Sequence, residues 1–118
     1  MLLNFSNHPS SLWEESQLEA ARQYGEIVDM PFPSIDPGVS SETVKEMAKS
    51  YVHDILQIAK DRNITVHVMG EMTFVFSVVM LLKEKGIRCV ASTTERNAID
   101  NADGTKTSEF SFVGFREY

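Results

Sequence analysis

The chain has one cysteine among its 118 residues, so no intrachain disulfide can form. A reducing cytoplasm is the expected setting. Long hydrophobic runs are missing too. The longest apolar stretch, Met72 to Leu82, has about half of the roughly 20 residues a membrane-spanning helix needs. The opening residues, Met1-Leu2-Leu3-Asn4-Phe5, lack the basic segment and long apolar core of a secretory signal. Positive charge is scarce: 11 Lys and Arg stand against 17 Asp and Glu, a net charge of −6. General DNA or RNA binding depends on neutralising phosphates with Lys and Arg, so this balance argues against it. A small anion held by backbone N–H groups and one or two cations stays compatible. The acid is concentrated in residues 1–60, with nine Asp and Glu against four Lys and Arg; residues 61–118 have eight against seven.

Several chemical signatures are also missing. No G-x-G-x-x-G and no G-x-x-x-x-G-K-[ST] segment occurs, which removes the usual dinucleotide and P-loop fingerprints. No C-x-x-C or H-E-x-x-H surrounds the three histidines, so no metal and no other cofactor is expected. There is no G-x-S-x-G elbow and no Ser, His and Asp in a familiar triad order. Repeats and low-complexity segments are absent.

What remains is an alternation of short apolar runs with helical patterns. Leu2–Phe5 reads as a strand. Ser11 precedes Glu14 by three, the capping-box spacing, which predicts a helix through Leu18, Ala21 and Tyr24 that stops at Gly25. Ile27–Met30 reads as a second strand, and Pro31, Pro33 and Pro37 make the following stretch extended. Ser40 and Ser41 open a helix. Its apolar positions Val44, Met47, Ala48, Tyr51, Val52, Ile55, Leu56 and Ala59 form one stripe over four turns. Ile64–Met69 is the third strand. Residues 73–85 form a helix apolar on nearly every side, ended by Gly86. Ile87–Ala91 is the fourth strand. The segments 96–99 and 105–113 flank Asp103-Gly104, a hairpin turn signal.

These elements predict one α/β domain over residues 1–118. It is a three-layer, Rossmann-like parallel sheet of order 2-1-3-4 with a C-terminal β-hairpin. The topological switch then lies between strands one and three, where ligands of such sheets bind. Three segments are drawn to that edge. In Ser6-Asn7-His8-Pro9-Ser10-Ser11, His8 is either a phosphate or base contact, a general acid/base near neutral pH, or a loop residue holding backbone. Ser10 and Ser11 are phosphate donors, and Ser11 is also the expected N-cap. In Gly70-Glu71-Met72-Thr73 the glycine permits a tight turn and close ligand approach. Glu71 is a base, a ribose acceptor or a first-turn acid. In Ser92-Thr93-Thr94-Glu95-Arg96, placed after the fourth strand, a fork-shaped guanidinium suits phosphate. His53 is expected in solvent, His67 as a structural strand residue, Cys89 as buried and inert, and Trp13 in the core or at an interface.

Three segments carry a resemblance: Asn4-Phe5-Ser6-Asn7-His8-Pro9, Val68-Met69-Gly70-Glu71-Met72-Thr73, and Ala91-Ser92-Thr93-Thr94-Glu95-Arg96. With this layout the chain resembles the small stand-alone CRISPR-associated Rossmann-fold proteins of the CARF and ring-nuclease-like group. The resemblance implies a cytoplasmic homodimer that takes a cyclic oligoadenylate on its two-fold axis, most often the tetra-adenylate of type III systems. It implies either sequestration or metal-free cleavage by a ribose 2′-hydroxyl. The ligand would be gripped by Ser6, Asn7, His8, Ser10, Ser11, Gly70, Glu71, Met72, Thr73, Thr93, Thr94, Glu95 and Arg96, with His8 and Arg96 assisting cleavage. The apolar helix 73–85 is the expected dimer surface. The rival readings are a ligand-free protein-interaction module and another small nucleotide-binding protein.

Overall fold

A computed structural model describes residues 1–118. The strands are β1 (Leu2–Ser6), β2 (Ile27–Asp29), β3 (Thr65–Met69), β4 (Arg88–Asp100) and β5 (Lys106–Glu117). The helices are α1 (Glu15–Arg22), α2 (Ser41–Ala59) and α3 (Met72–Glu84). The sheet order is β2-β1-β3-β4-β5; β1 to β4 are parallel and β5 is antiparallel to β4. This is the predicted three-layer order, with the hairpin closing one edge. No helix is long and apolar enough to cross a membrane.

Alternation along the strands decides which layer each side chain joins. Leu3, Phe5, Val66, Val68 and Cys89 face α2 and α3, where they pack with Ala48, Ile55, Phe74, Val78 and Leu82. Leu2 and Val90 face the opposite way and pack with Ala21 of α1 and with Trp13. Ser40 caps α2 as expected, accepting from the Thr43 N–H at 3.2 Å. Gly86 ends α3 at φ +75°, a left-handed conformation that suits glycine.

Two local expectations are overturned. Ser11 is not an N-cap: Ser10–Leu12 form a 3-10 turn, and α1 begins later, with Glu14 at its cap position. The Trp13 side chain explains the delay. Its indole is buried, and its Nε1–H donates to the His8 carbonyl at 3.1 Å, which holds the chain in a tight turn before any helix can start. Ser92–Arg96 are not a loop, because β4 runs unbroken from Arg88 to Asp100 and these residues pair with Phe110–Phe115 of β5. A bulge at Thr93/Thr94 absorbs the extra residue. The apolar residues of α3 divide between the core and the surface. Phe74, Val75, Val78, Val79 and Leu82 are buried within the protomer, and Leu81 packs against the same core. The free apolar side consists of Met72, Phe76 and Met80.

Candidate functional site

Each of the four parallel strands contributes one polar side chain to a single row. Asn4 of β1 is in register with Asp29 of β2 and with His67 of β3. His67 is in register with Val90 of β4, and Ser92 lies two residues further along on the same face. The Asn4 Nδ2–H donates to Asp29 Oδ1 at 2.8 Å and to the His8 carbonyl at 3.0 Å. The acceptor Oδ1 of Asn4 is thereby turned to His67 Nδ1, 2.8 Å away. An amide oxygen has no proton to give, so Nδ1 carries the ring hydrogen and donates. The other ring nitrogen, Nε2, is then an unprotonated acceptor, and Ser92 Oγ–H donates to it at 2.7 Å. Gln17 of α1 completes the row, donating its Nε2–H to Ser92 Oγ at 3.0 Å.

The surroundings hold His67 neutral. Its ring is buried, with Trp13 edge-on at 5.3 Å and Phe115 at 5.5 Å between centroids. Burial, with added repulsion from His8, drives its pKa from 6.5 to about 4. Asp29 is the charged end of the row. Burial raises its pKa, but the hydroxyl and N–H of Ser10 and the amide of Asn4 outweigh that and hold it below the usual carboxylate value. Cys89, on the opposite face of β4, is buried and its thiol is pushed up to about 11, consistent with an inert core residue.

A cleft of about 270 Å³ opens over the His67, Ser92 and Gln17 end of the row. His67, Ser92 and Met69 form its floor; Trp13, Glu14 and Gln17 stand on one side, and Thr94, Phe110 and Phe112 of the hairpin on the other. Ser6, Asn7 and His8 complete the rim. The structure therefore brings together Ser6, Asn7, His8 and Thr94 of the predicted residues, and it separates the rest. Ser10 gives its N–H and Oγ–H to Asp29, at 3.1 and 2.7 Å. Ser11 is exposed in the 3-10 turn. Gly70 is needed for packing: a Cβ there would run into the ring of Phe32, so the chain's own phenylalanine takes the space foreseen for a ligand. Glu71 caps α3, accepting from Thr73 N–H at 3.1 Å and Phe74 N–H at 2.8 Å, and Thr73 Oγ1–H donates to it as well. These three donors hold the Glu71 carboxyl below its ordinary pKa. Met72 is exposed beside an apolar groove with Phe76, Met80 and Tyr118. Thr93 donates its hydroxyl to the Gly114 carbonyl. Glu95 and Arg96 lie out on the ribbon, where Arg96 is held by Ser108 Oγ at 3.2 and 3.0 Å.

Two of the backbone positions suited to an anion are thus filled by carboxylates of this acidic chain, Asp29 at Ser10 and Glu71 at the start of α3. His67, Asn4 and Gln17 were missed as site residues. For Asn4 and His67 a signal was present, because each is a polar residue flanked by apolar ones in a short strand; Gln17, on α1, offered none. No group of three or more His, Cys, Asp or Glu side chains converges in the fold.

An open, doubly wound α/β domain with a polar row at its switch point is the class of protein these features define. The sequence matches the Uncharacterized protein MJ1673 family over residues 1–116, and the chain belongs to that family. No curated protein and no solved structure matches it.

Proposed function

We propose that the cleft above His67 and Ser92 binds a nucleobase of a cyclic oligoadenylate, with cyclic tetra-adenylate of type III CRISPR signalling as the first ligand to test. One observation carries this reading: aromatic rings and uncharged hydrogen-bonding groups line one cleft at the switch point. Phe110 and Phe112 offer stacking surface. Asn7, Gln17, Ser92 and Thr94 offer donors and acceptors for a base edge. Stacking on an aromatic ring contributes about 1–3 kcal/mol per base. The backbone positions filled by Asp29 and Glu71, and the position of Arg96 on the hairpin, favour recognition through the base over a grip on phosphate. Sequestration in the cytoplasm follows more directly from this arrangement than cleavage does.

A two-fold ring suits an isologous dimer, and the exposed Met72, Phe76 and Met80 of α3 are the surface proposed for a second copy. The test is thermal. Saturating cyclic tetra-adenylate should raise the melting temperature by mass-action linkage, and Phe112→Ala should reduce the rise. Absence of any shift across cyclic and linear adenylates would overturn the reading. Product analysis in excess chelator separates binding from cleavage: a cyclic 2′,3′-phosphate would mark 2′-hydroxyl attack.

A further inference from the structure

We infer that Ser92, His67 and Gln17 form a nucleophile site for uncharged carbonyl substrates, esters in particular, with Asn4 as the positioning residue. The inference stands independently of the adenylate reading. Hydroxyl nucleophiles are recognised by a hydrogen-bonded base which is itself oriented by a third group. Here the Ser92 Oγ to His67 Nε2 distance is 2.7 Å and the His67 Nδ1 to Asn4 Oδ1 distance is 2.8 Å. The tautomer is fixed from the far end. The Asp29 carboxylate can only accept, so it sets the Asn4 amide, which sets Nδ1 as the donor and leaves Nε2 free to take a proton. Ser92 is only partly buried and forms part of the cleft floor, so a substrate can reach its oxygen. Gln17 Nε2 is 3.0 Å from that oxygen, and a side-chain amide there is placed to donate to an oxyanion forming next to it. The cleft holds the acid Glu14 and, apart from the histidines, no cation. That lining favours a neutral electrophile over a phosphate.

The chemistry balances with water as the only co-reactant. Ser92 Oγ attacks the carbonyl carbon while its proton moves to His67 Nε2, and the tetrahedral oxyanion takes a hydrogen bond from Gln17. Collapse breaks the bond to the leaving oxygen, which takes the proton from His67 and departs as an alcohol or phenol. Water then attacks the acyl-Ser92 ester, giving a proton to His67. The carboxylic acid leaves as that proton returns to Ser92.

The probe is a fluorophosphonate, which phosphonylates an activated serine, followed by intact-mass measurement and peptide mapping. The wild-type chain should gain one adduct, at Ser92, and should hydrolyse p-nitrophenyl acetate. Ser92→Ala should lose both while keeping its circular dichroism and cooperative melting. Gln17→Leu, on the surface helix, should slow ester hydrolysis by about 100-fold, the loss associated with removing one oxyanion donor, and should leave the Ser92 hydroxyl in place. His67→Gln should slow labelling by about 100-fold or more. An unlabelled wild-type chain, an adduct that persists in Ser92→Ala, or unchanged hydrolysis in Gln17→Leu would overturn the inference. Labelling that survives saturating cyclic tetra-adenylate would leave this site standing and place the adenylate elsewhere.

Discussion

The two faces of the sheet are built from the same strands and solve opposite problems. Toward α2 and α3, successive strands present Leu3, Phe5, Val66, Val68 and Cys89, a layer of hydrocarbon and one inert thiol. Toward α1, the same strands present Asn4, Ser6, His67 and Ser92, each hydrogen-bonded within the protein. Burying polar groups contributes little net stability even when every partner is found, whereas leaving one unpaired costs about 1–3 kcal/mol. The apolar face is therefore where the fold gets its stability. The polar face is where stability is given up for a defined tautomer and an open cleft. No buried side-chain polar atom is left without a partner, so the polar row is complete as well as costly.

The largest expected effects break the apolar face. Phe5 is fully buried and meets the rings of Phe32, Tyr51 and Phe74 at 5.1, 5.5 and 6.0 Å. Phe5→Ala removes that cluster's centre and should lower unfolding free energy in urea by about 3–5 kcal/mol. Val79 belongs to the same core, so Val79→Glu should unfold the protomer, because a charge there has no partner. Phe76→Glu, one turn away on the exposed side, should leave the fold intact and, under the dimer proposal, shift light scattering from dimer to monomer. Equal destabilisation by the two changes would show that α3 has no free face.

The polar face should show itself through pH. His67 has a folded pKa of about 4 against an ordinary 6.5. Between those values the unfolded chain binds a proton that the folded chain refuses. Stability is therefore full above about pH 6.5 and falls as the pH drops toward 4. The loss should be about 2 kcal/mol between pH 7 and pH 5 and about 3 kcal/mol in all. Asp29 and Glu71, both held below their ordinary pKa, add a further loss that begins as the pH falls through their ordinary carboxylate range, where the unfolded chain takes up protons that the folded chain still refuses. Urea titrations from pH 7.5 to 4 would measure the slope. A flat profile in that window would mean His67 is protonated in the fold and the tautomer argument fails. His67→Gln should flatten it.

The same contrast explains what the sequence made legible. The apolar face was readable because its residues repeat at the strand and helix periods; Val44 to Ala59 and Ile64 to Met69 need only their spacing to be placed. The sheet order followed from connection length and handedness. The switch-point edge followed from the sheet order, and Ser6, Asn7, His8 and Thr94, drawn to it by sequence, line one cleft there. Its partners were not readable, because they depend on which residues the register sets side by side. Asn4 and His67 are 63 positions apart in the chain and 2.8 Å apart in space. Local motifs misled for a related reason. Ser11 and Glu14 have capping-box spacing, but the indole of Trp13 is buried against His67, and that tertiary contact overrides the cap. Gly70 looked like room for a ligand, but Phe32, on the proline-rich loop 38 residues earlier, fills the room.

Arg96 should give the smallest effect, and it tests where the boundary between the two regions lies. By sequence it stood at a loop next to the ligand, where a charge-assisted contact to phosphate would contribute about 1.5–3 kcal/mol. In the structure it sits on an exposed two-stranded ribbon, with Nε and Nη2 both given to the Ser108 hydroxyl. An exposed side-chain contact of this kind contributes less than about 1 kcal/mol. Arg96→Ala should therefore change affinity for cyclic tetra-adenylate by less than roughly fivefold. That places it with Arg62→Ala and Arg88→Ala, whose side chains are also exposed. Isothermal titration of the three variants in parallel makes the comparison. A loss of more than about tenfold confined to Arg96→Ala would mean that the ribbon folds its guanidinium over the bound ligand, and that the cleft extends from the polar row out along β4.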